Sequence, residues 1–106
     1  MSVNTSTLEK MHRIETIYRQ GFQSDLIDRT VDKLIDLEQS RVRRELEDIQ
    51  RRLQAFEQKY RLSSAEFYTR YEAGKLEDSA DFMEWSSFYD MLASTQQYLG
   101  WLSGAE

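Results

Sequence analysis

The chain has 106 residues, 40% apolar and 31% charged, with a net charge of −5. That length makes one domain with room for a modest core. The absence of cysteine excludes disulfides, thiolate metal sites and cysteine nucleophiles, and no apolar run approaches the ~20 residues of a membrane span.

There is no proline, where average usage gives about five, and there are four glycines. So few helix breakers point to an all-α protein. The start, Met1-Ser2-Val3-Asn4-Thr5, lacks the basic and apolar regions of a signal peptide, and a cytoplasmic protein is expected. Charge is unevenly spread. Residues 1–61 hold 12 Lys/Arg and 11 Asp/Glu, a balance of +1, whereas residues 62–106 hold 2 and 8, a balance of −6. An acidic half rich in aromatic residues suits a basic protein better than a phosphate backbone.

Four helices are predicted, over about 7–20, 24–60, 64–73 and 79–102. In the first, Ser6-Thr7-Leu8-Glu9 fits a capping box, and Leu8, Met11, Ile14, Ile17 and Tyr18 form one apolar stripe. Gly21 suits the left-handed residue that closes a helix.

Ser24 caps the second helix, with Asp25 and Asp28 at its positive end. Ile27, Val31 and Leu34 open a stripe that Leu26, Ile35 and Leu37 widen. After an 11-residue slip from Val31, the residues Val42, Leu46, Ile49, Leu53, Phe56 and Tyr60 follow at steps of 4, 3, 4, 3 and 4, the spacing of a coiled-coil seam. At 1.5 Å per residue such a helix reaches roughly 55 Å. It needs either a sheath from its own chain or a partner, and the six seam residues are the expected self-association surface of a homo-oligomer. Opposite charges at i,i+4, such as Arg41 and Glu45 or Asp48 and Arg52, support the helix where it is exposed.

Ser63-Ser64-Ala65-Glu66 is a second capping box, and Leu62 and Phe67 form its hydrophobic staple. Phe67, Tyr68 and Tyr71 share a face of the short third helix, which Gly74 ends. The last helix starts at Asp78 or Ser79. Phe82, Trp85, Tyr89, Leu92 and Leu99 make one stripe, with Phe88, Met91, Thr95, Tyr98 and Leu102 beside it, so this helix packs on two sides. The expected architecture is all-α, a long helical hairpin or small helical bundle with coiled-coil character, forming a single domain over 1–106.

Catalytic and metal chemistry find little footing. Glu77, Asp78, Asp81 and Glu84 are close in sequence, but acids are favoured in a first helical turn for the helix's own sake, so no metal site is assigned. His12, the one histidine, has no Ser, Cys or Asp arrangement pointing to it, and there is no glycine-rich phosphate loop or nucleophile elbow. Neither an enzyme nor a cofactor is expected. The arginines at 41, 43, 44, 51 and 52 alternate with Glu45, Glu47 and Asp48, which marks a solvated helix face rather than a phosphate track. Nucleic acid is therefore not the expected partner.

The rings of Phe67, Tyr68, Tyr71, Phe82, Trp85, Phe88 and Tyr89 fall within 23 residues, more than one small helical corner usually buries. Tyr and Trp are preferred interface anchors. Phe67, Tyr68, Tyr71, Glu72, Asp81, Trp85 and Tyr89 are thus the candidate contacts to a partner protein.

The run Tyr60-Arg61-Leu62-Ser63-Ser64-Ala65-Glu66-Phe67-Tyr68 leads on to Tyr71-Glu72-Ala73-Gly74-Lys75-Leu76-Glu77-Asp78 and then to Asp81-Phe82-Met83-Glu84-Trp85 and Tyr89-Asp90-Met91. Over about residues 34–92 the chain resembles a family of small prokaryotic helical proteins. Members are often encoded beside a small toxin, notably of the TumE type, and are regarded as its antitoxins. The resemblance implies neutralisation of a partner rather than catalysis, with no catalytic residues; the acidic balance and the ring cluster over 67–89 add the expectation that the partner is a basic protein and that the mechanism is occlusion. The alternative is a structural coiled-coil adapter or homodimerisation module that uses the seam over 42–60, and behind it a nucleic-acid-binding regulator.

Overall fold

The structure, a computed structural model, describes residues 5–104. It contains α1 (Thr5–Arg19), α2 (Asp25–Tyr60), α3 (Ser64–Glu72) and α4 (Ala80–Leu102), with no strand among the described residues. The protein is all-α. The chain divides into two compact units. The first ends at Leu34 and holds α1 with residues 25–34 of α2; the second begins at Ile35 and holds the rest of α2, α3 and α4.

In the first unit α1 and the start of α2 form a helical hairpin. Gly21 takes a φ of 93°, which lets the Phe22 N–H reach back to the Ile17 carbonyl at 3.3 Å and close α1. Ser24 Oγ accepts from the Ile27 N–H at 3.3 Å, capping α2. The Tyr18 hydroxyl fastens the two helices: it donates to the Asp28 carboxylate and accepts from the Ser24 N–H at 3.3 Å. The capping box expected at Ser6 does not form. Thr5 is already helical, and an N-cap needs extended backbone that a residue inside the helix cannot adopt.

The second unit has a core. Val42, Ile49 and Leu53 on α2 are 1%, 1% and 5% exposed, while Phe67 on α3 and Trp85 on α4 are fully buried. Contacts between α2 and α4 step down one helix as they step up the other: Tyr60 meets Phe82, Phe56 meets Trp85, and the Arg52 guanidinium lies over the Phe88 ring at 5.0 Å. At the far end Gln39 Nε2 donates to the Leu102 carbonyl at 3.3 Å and to Ser103 Oγ at 3.2 Å, so α2 caps the free carbonyl end of α4. This is an antiparallel helical hairpin with α3 packed at its closed end.

That pairing corrects the expected self-association surface. Of Val42, Leu46, Ile49, Leu53, Phe56 and Tyr60, three are buried and Leu46 and Phe56 are half-buried; only Tyr60 is exposed, at 37%. The space a second copy's helix would take is filled from within the chain by Phe67, Trp85 and the side chains around them.

Trp85 is the hub. Its ring stacks on Phe67 at 3.9 Å with planes 2° apart, on Phe56 at 5.5 Å and on Tyr60 at 5.7 Å, and it tilts against Phe82 at 6.3 Å. Its Nε1 donates to buried Ser64 Oγ at 2.9 Å. Ser63 caps α3 as its sequence implies, accepting from the Glu66 N–H at 3.1 Å. The acid that completes the cap is a different one. Glu66 pairs with Arg70 at 2.7 Å, while Glu57 of α2 accepts the Ser64 N–H at 2.9 Å.

The turn from α2 into α3 puts Arg61 at a φ of 51°, and the Leu62 N–H reaches the Glu57 carbonyl at 3.3 Å. After α3 the same reversal uses Gly74, at a φ of 72°, with the Lys75 N–H on the Arg70 carbonyl at 3.0 Å. The arginine meets the Cβ clash that glycine escapes, at a cost of roughly 1–2 kcal/mol.

Two substitutions test this account by urea unfolding. Ser64→Ala strips the buried indole N–H of its acceptor and should cost about 1–3 kcal/mol. Arg61→Gly should stabilise the protein by about 0.5–1 kcal/mol, the relieved clash less the entropy glycine adds to the unfolded chain.

Candidate functional site

The seven residues expected to meet a partner are split by the structure. Phe67 and Trp85 have no exposed surface, so neither is available to a docking protein. Phe67 is the buried half of the α3 staple, and Trp85 finds its hydrogen-bond acceptor inside the core, so neither ring needs solvent or a partner. Tyr68, Tyr71, Asp81 and Tyr89 are half-buried and Glu72 is exposed. These five remain at the surface of the α3–α4 corner.

What organises that surface is a set of tyrosine–carboxylate pairs. The Tyr68 hydroxyl donates to Asp90 Oδ1 at 2.7 Å, and the Tyr71 hydroxyl to Asp78 Oδ1 at 3.1 Å. Asp81 Oδ2 accepts from both the Tyr60 hydroxyl and Lys59 Nζ, the latter at 2.6 Å. Further along the unit Tyr98 donates to Glu38, whose two oxygens are also gripped by the Arg41 guanidinium at 2.8 and 3.0 Å. Tyr89 makes no such pair. Its ring lies against that of Tyr68 at 4.8 Å.

The electrostatics follow from this geometry. Arg41 first, and then Tyr98, pull the Glu38 carboxyl down to about 2. Lys59 and Tyr60 lower Asp81. The hydroxyls move the other way, because each would have to ionise beside a negative charge. Asp90 raises Tyr68, Asp81 raises Tyr60 and Glu38 raises Tyr98, while burial and then Asp78 raise Tyr71.

Beside these pairs lies an open groove of about 500 Å³, lined by Gln50, Leu53, Gln54, Glu57, Ser63 and Tyr89, among others. Gln50 and Gln54 were not among the sequence candidates. The signal was present as amides at i,i+4 over Gln50, Gln54 and Gln58, a polar stripe next to the seam.

Asp81 and Asp78 are engaged by the partners just described, and no group of three His, Cys, Asp or Glu among the described residues is placed to hold a metal ion. His12 stands 74% exposed, 3.5 Å from Glu15. On α2, Arg41 pairs with Glu45 and Arg52 with Asp48, both at 3.1 Å, and Arg51 also turns towards Asp48 at 3.6 Å. No helix among the described residues is long and apolar enough to cross a membrane. Compared with known proteins, the chain matches no family, no curated protein and no solved structure.

The pairs impose a pH profile. Glu38 titrates at 4.5 when unfolded and at about 2 in the fold, so its bonds contribute fully above pH 4.5 and are lost as pH falls towards 2. The tyrosines titrate at 10 when unfolded and higher in the fold, so their bonds contribute fully below pH 10 and are lost as pH rises through the folded values. Thermal melts followed by far-UV circular dichroism should show a plateau from about pH 5 to pH 10 with a falling limb on each side. Glu38→Gln should shrink the acid limb, leaving the part that Asp81 contributes.

Proposed function

We propose that this protein works by binding another protein, without catalysis, and that the contact is the acidic α3–α4 corner of the second unit. The partner is a basic protein, and the effect is to cover its working surface, as an antitoxin covers a co-encoded toxin in the cytoplasm. The observation that carries the reading is the row of tyrosines held by carboxylates at this corner, Tyr60 with Asp81, Tyr68 with Asp90 and Tyr71 with Asp78.

Such pairs hold aromatic area in place before a partner arrives, which lowers the entropy lost on binding. They also fix negative charge beside that area, and fixed charge steers and selects a basic surface. The charge budget of the chain favours the same face. The first unit balances Lys10, Arg13, Arg19, Arg29 and Lys33 against Glu9, Glu15, Asp25, Asp28 and Asp32, so the net charge of −5 belongs to the second unit. Phe67 and Trp85 serve from behind, as the packing that sets the corner. Gln50 and Gln54 extend the face with hydrogen-bonding groups along the groove. The stretch that resembles the antitoxin family, about 34–92, falls almost wholly within this unit. The adapter reading, which relies on the seam over 42–60, has less surface to work with, because Val42, Ile49 and Leu53 are covered within the chain.

The test is calorimetric titration of the full chain against the basic protein encoded beside it. Glu72→Lys combined with Tyr89→Ala should weaken binding about tenfold or more with helicity unchanged. Affinity of the unaltered chain should also fall as salt is raised. Unchanged affinity in the double variant overturns the assignment of this corner, and no binding by the unaltered chain overturns the partner.

A further inference from the structure

We propose that the first unit is a dimerisation module, in which the hairpin of α1 and residues 25–34 of α2 packs against the same hairpin of a second copy to form a four-helix bundle. This hairpin and the acidic corner belong to different units of the chain.

The hairpin, as it stands, has helices but no core. None of its described residues is buried; Ile14, Tyr18, Ser24 and Ile27 are half-covered and the others are exposed. The second unit, by contrast, closes completely over Phe67 and Trp85. A helix of 15 residues such as α1 is marginal in water by itself, and most helical stability comes from burying an amphipathic face against another layer. A pair of helices with no buried side chain lacks that layer.

The uncovered surface is large. Leu8 is 55% exposed, Met11 52%, Phe22 67%, Leu26 76% and Leu34 58%, with Ile17 at 44% and Val31 at 41%. Seven large side chains at about half exposure leave on the order of 700 Å² uncovered in sum. It is close to the approximately 800 Å² that each side contributes to an interface of standard size. A concavity of about 390 Å³ lined by Ile14, Leu26, Ile27, Thr30 and Val31 offers a socket for an incoming apolar side chain.

Charge selects the occupant. Five cations balance five anions in this unit, so two copies meet without net repulsion, and a two-fold axis lets one patch complement itself. Arg19 and Glu15 already satisfy each other at 2.9 Å. A strongly charged partner meets no net charge here, whereas an identical hairpin supplies the missing apolar layer.

The test is the molar mass of the full chain by light scattering after size exclusion, at about 100 µM. The expected result is twice the chain mass of 12.6 kDa. Leu26→Glu with Leu34→Glu should return the mass to that of one chain, and so should Met11→Glu on the other helix. The emission of buried Trp85 reports that the second unit stays folded in both variants. Met83→Glu, at a 57% exposed position of the second unit, should leave the dimer intact. A single-chain mass for the unaltered protein overturns the proposal. So does a dimer that persists in both first-unit variants, or one that Met83→Glu dissolves. Failure here leaves the acidic corner untouched, since that reading is decided by titration against a different protein.

Discussion

One buried hydrogen bond, from Trp85 Nε1 to Ser64 Oγ, ties together the three helices of the second unit. Ser64 is the first residue of α3. Its hydroxyl receives α4, and its backbone N–H is held by Glu57 of α2. Because the indole is fully enclosed, its N–H has no water to fall back on, and the bond is correspondingly costly to lose. The four rings around Trp85 depend on the indole staying where this bond holds it. The position of α3, and of every tyrosine at the corner, follows from that one donor and acceptor.

The two units use their residues in opposite ways. The second buries Ile49, Leu53, Phe67 and Trp85 in an internal core and carries the net charge of the chain, with Leu37, Met83 and Trp101 left exposed around it. The first keeps its charges balanced and leaves its apolar side chains in solvent. A closed core with net negative charge around it favours recognition by charge and fixed geometry. An open apolar face without net charge favours burial against a like surface. The two proposed contacts thus draw on different physical forces and separate parts of the chain.

Much of this fold is legible in the sequence, because helix formation is governed by short-range rules. Ser63 caps α3 and Ser79 caps α4, the latter accepting from the Phe82 N–H at 3.1 Å, and Gly21 and Gly74 take the left-handed conformations that close helices. What periodicity does not tell is who covers a face. The 4–3 spacing of Val42, Leu46, Ile49, Leu53, Phe56 and Tyr60 marks a face to be covered, and a helix of the same chain satisfies that need as well as a second copy does. For the same reason Phe67 is core while its neighbour Tyr68 reaches the surface, although both belong to one aromatic run. The difference lies in a tertiary contact, the ring of Trp85. The exchange of Glu66 for Glu57 at the α3 cap is another case, since a pattern four residues long contains no information about an acid from the preceding helix. Arg61 departs from local preference outright, and the packing on either side of the turn holds it there.

The two tryptophans sit at opposite extremes of their surroundings, Trp85 wholly enclosed and Trp101 60% exposed on the same helix. One indole therefore emits from a dry, aromatic box and the other from water. A small aqueous quencher such as acrylamide would extinguish the second and spare the first until the box opens. The molecule thus carries two optical channels in one helix, one for the integrity of its interior and one for events at its skin.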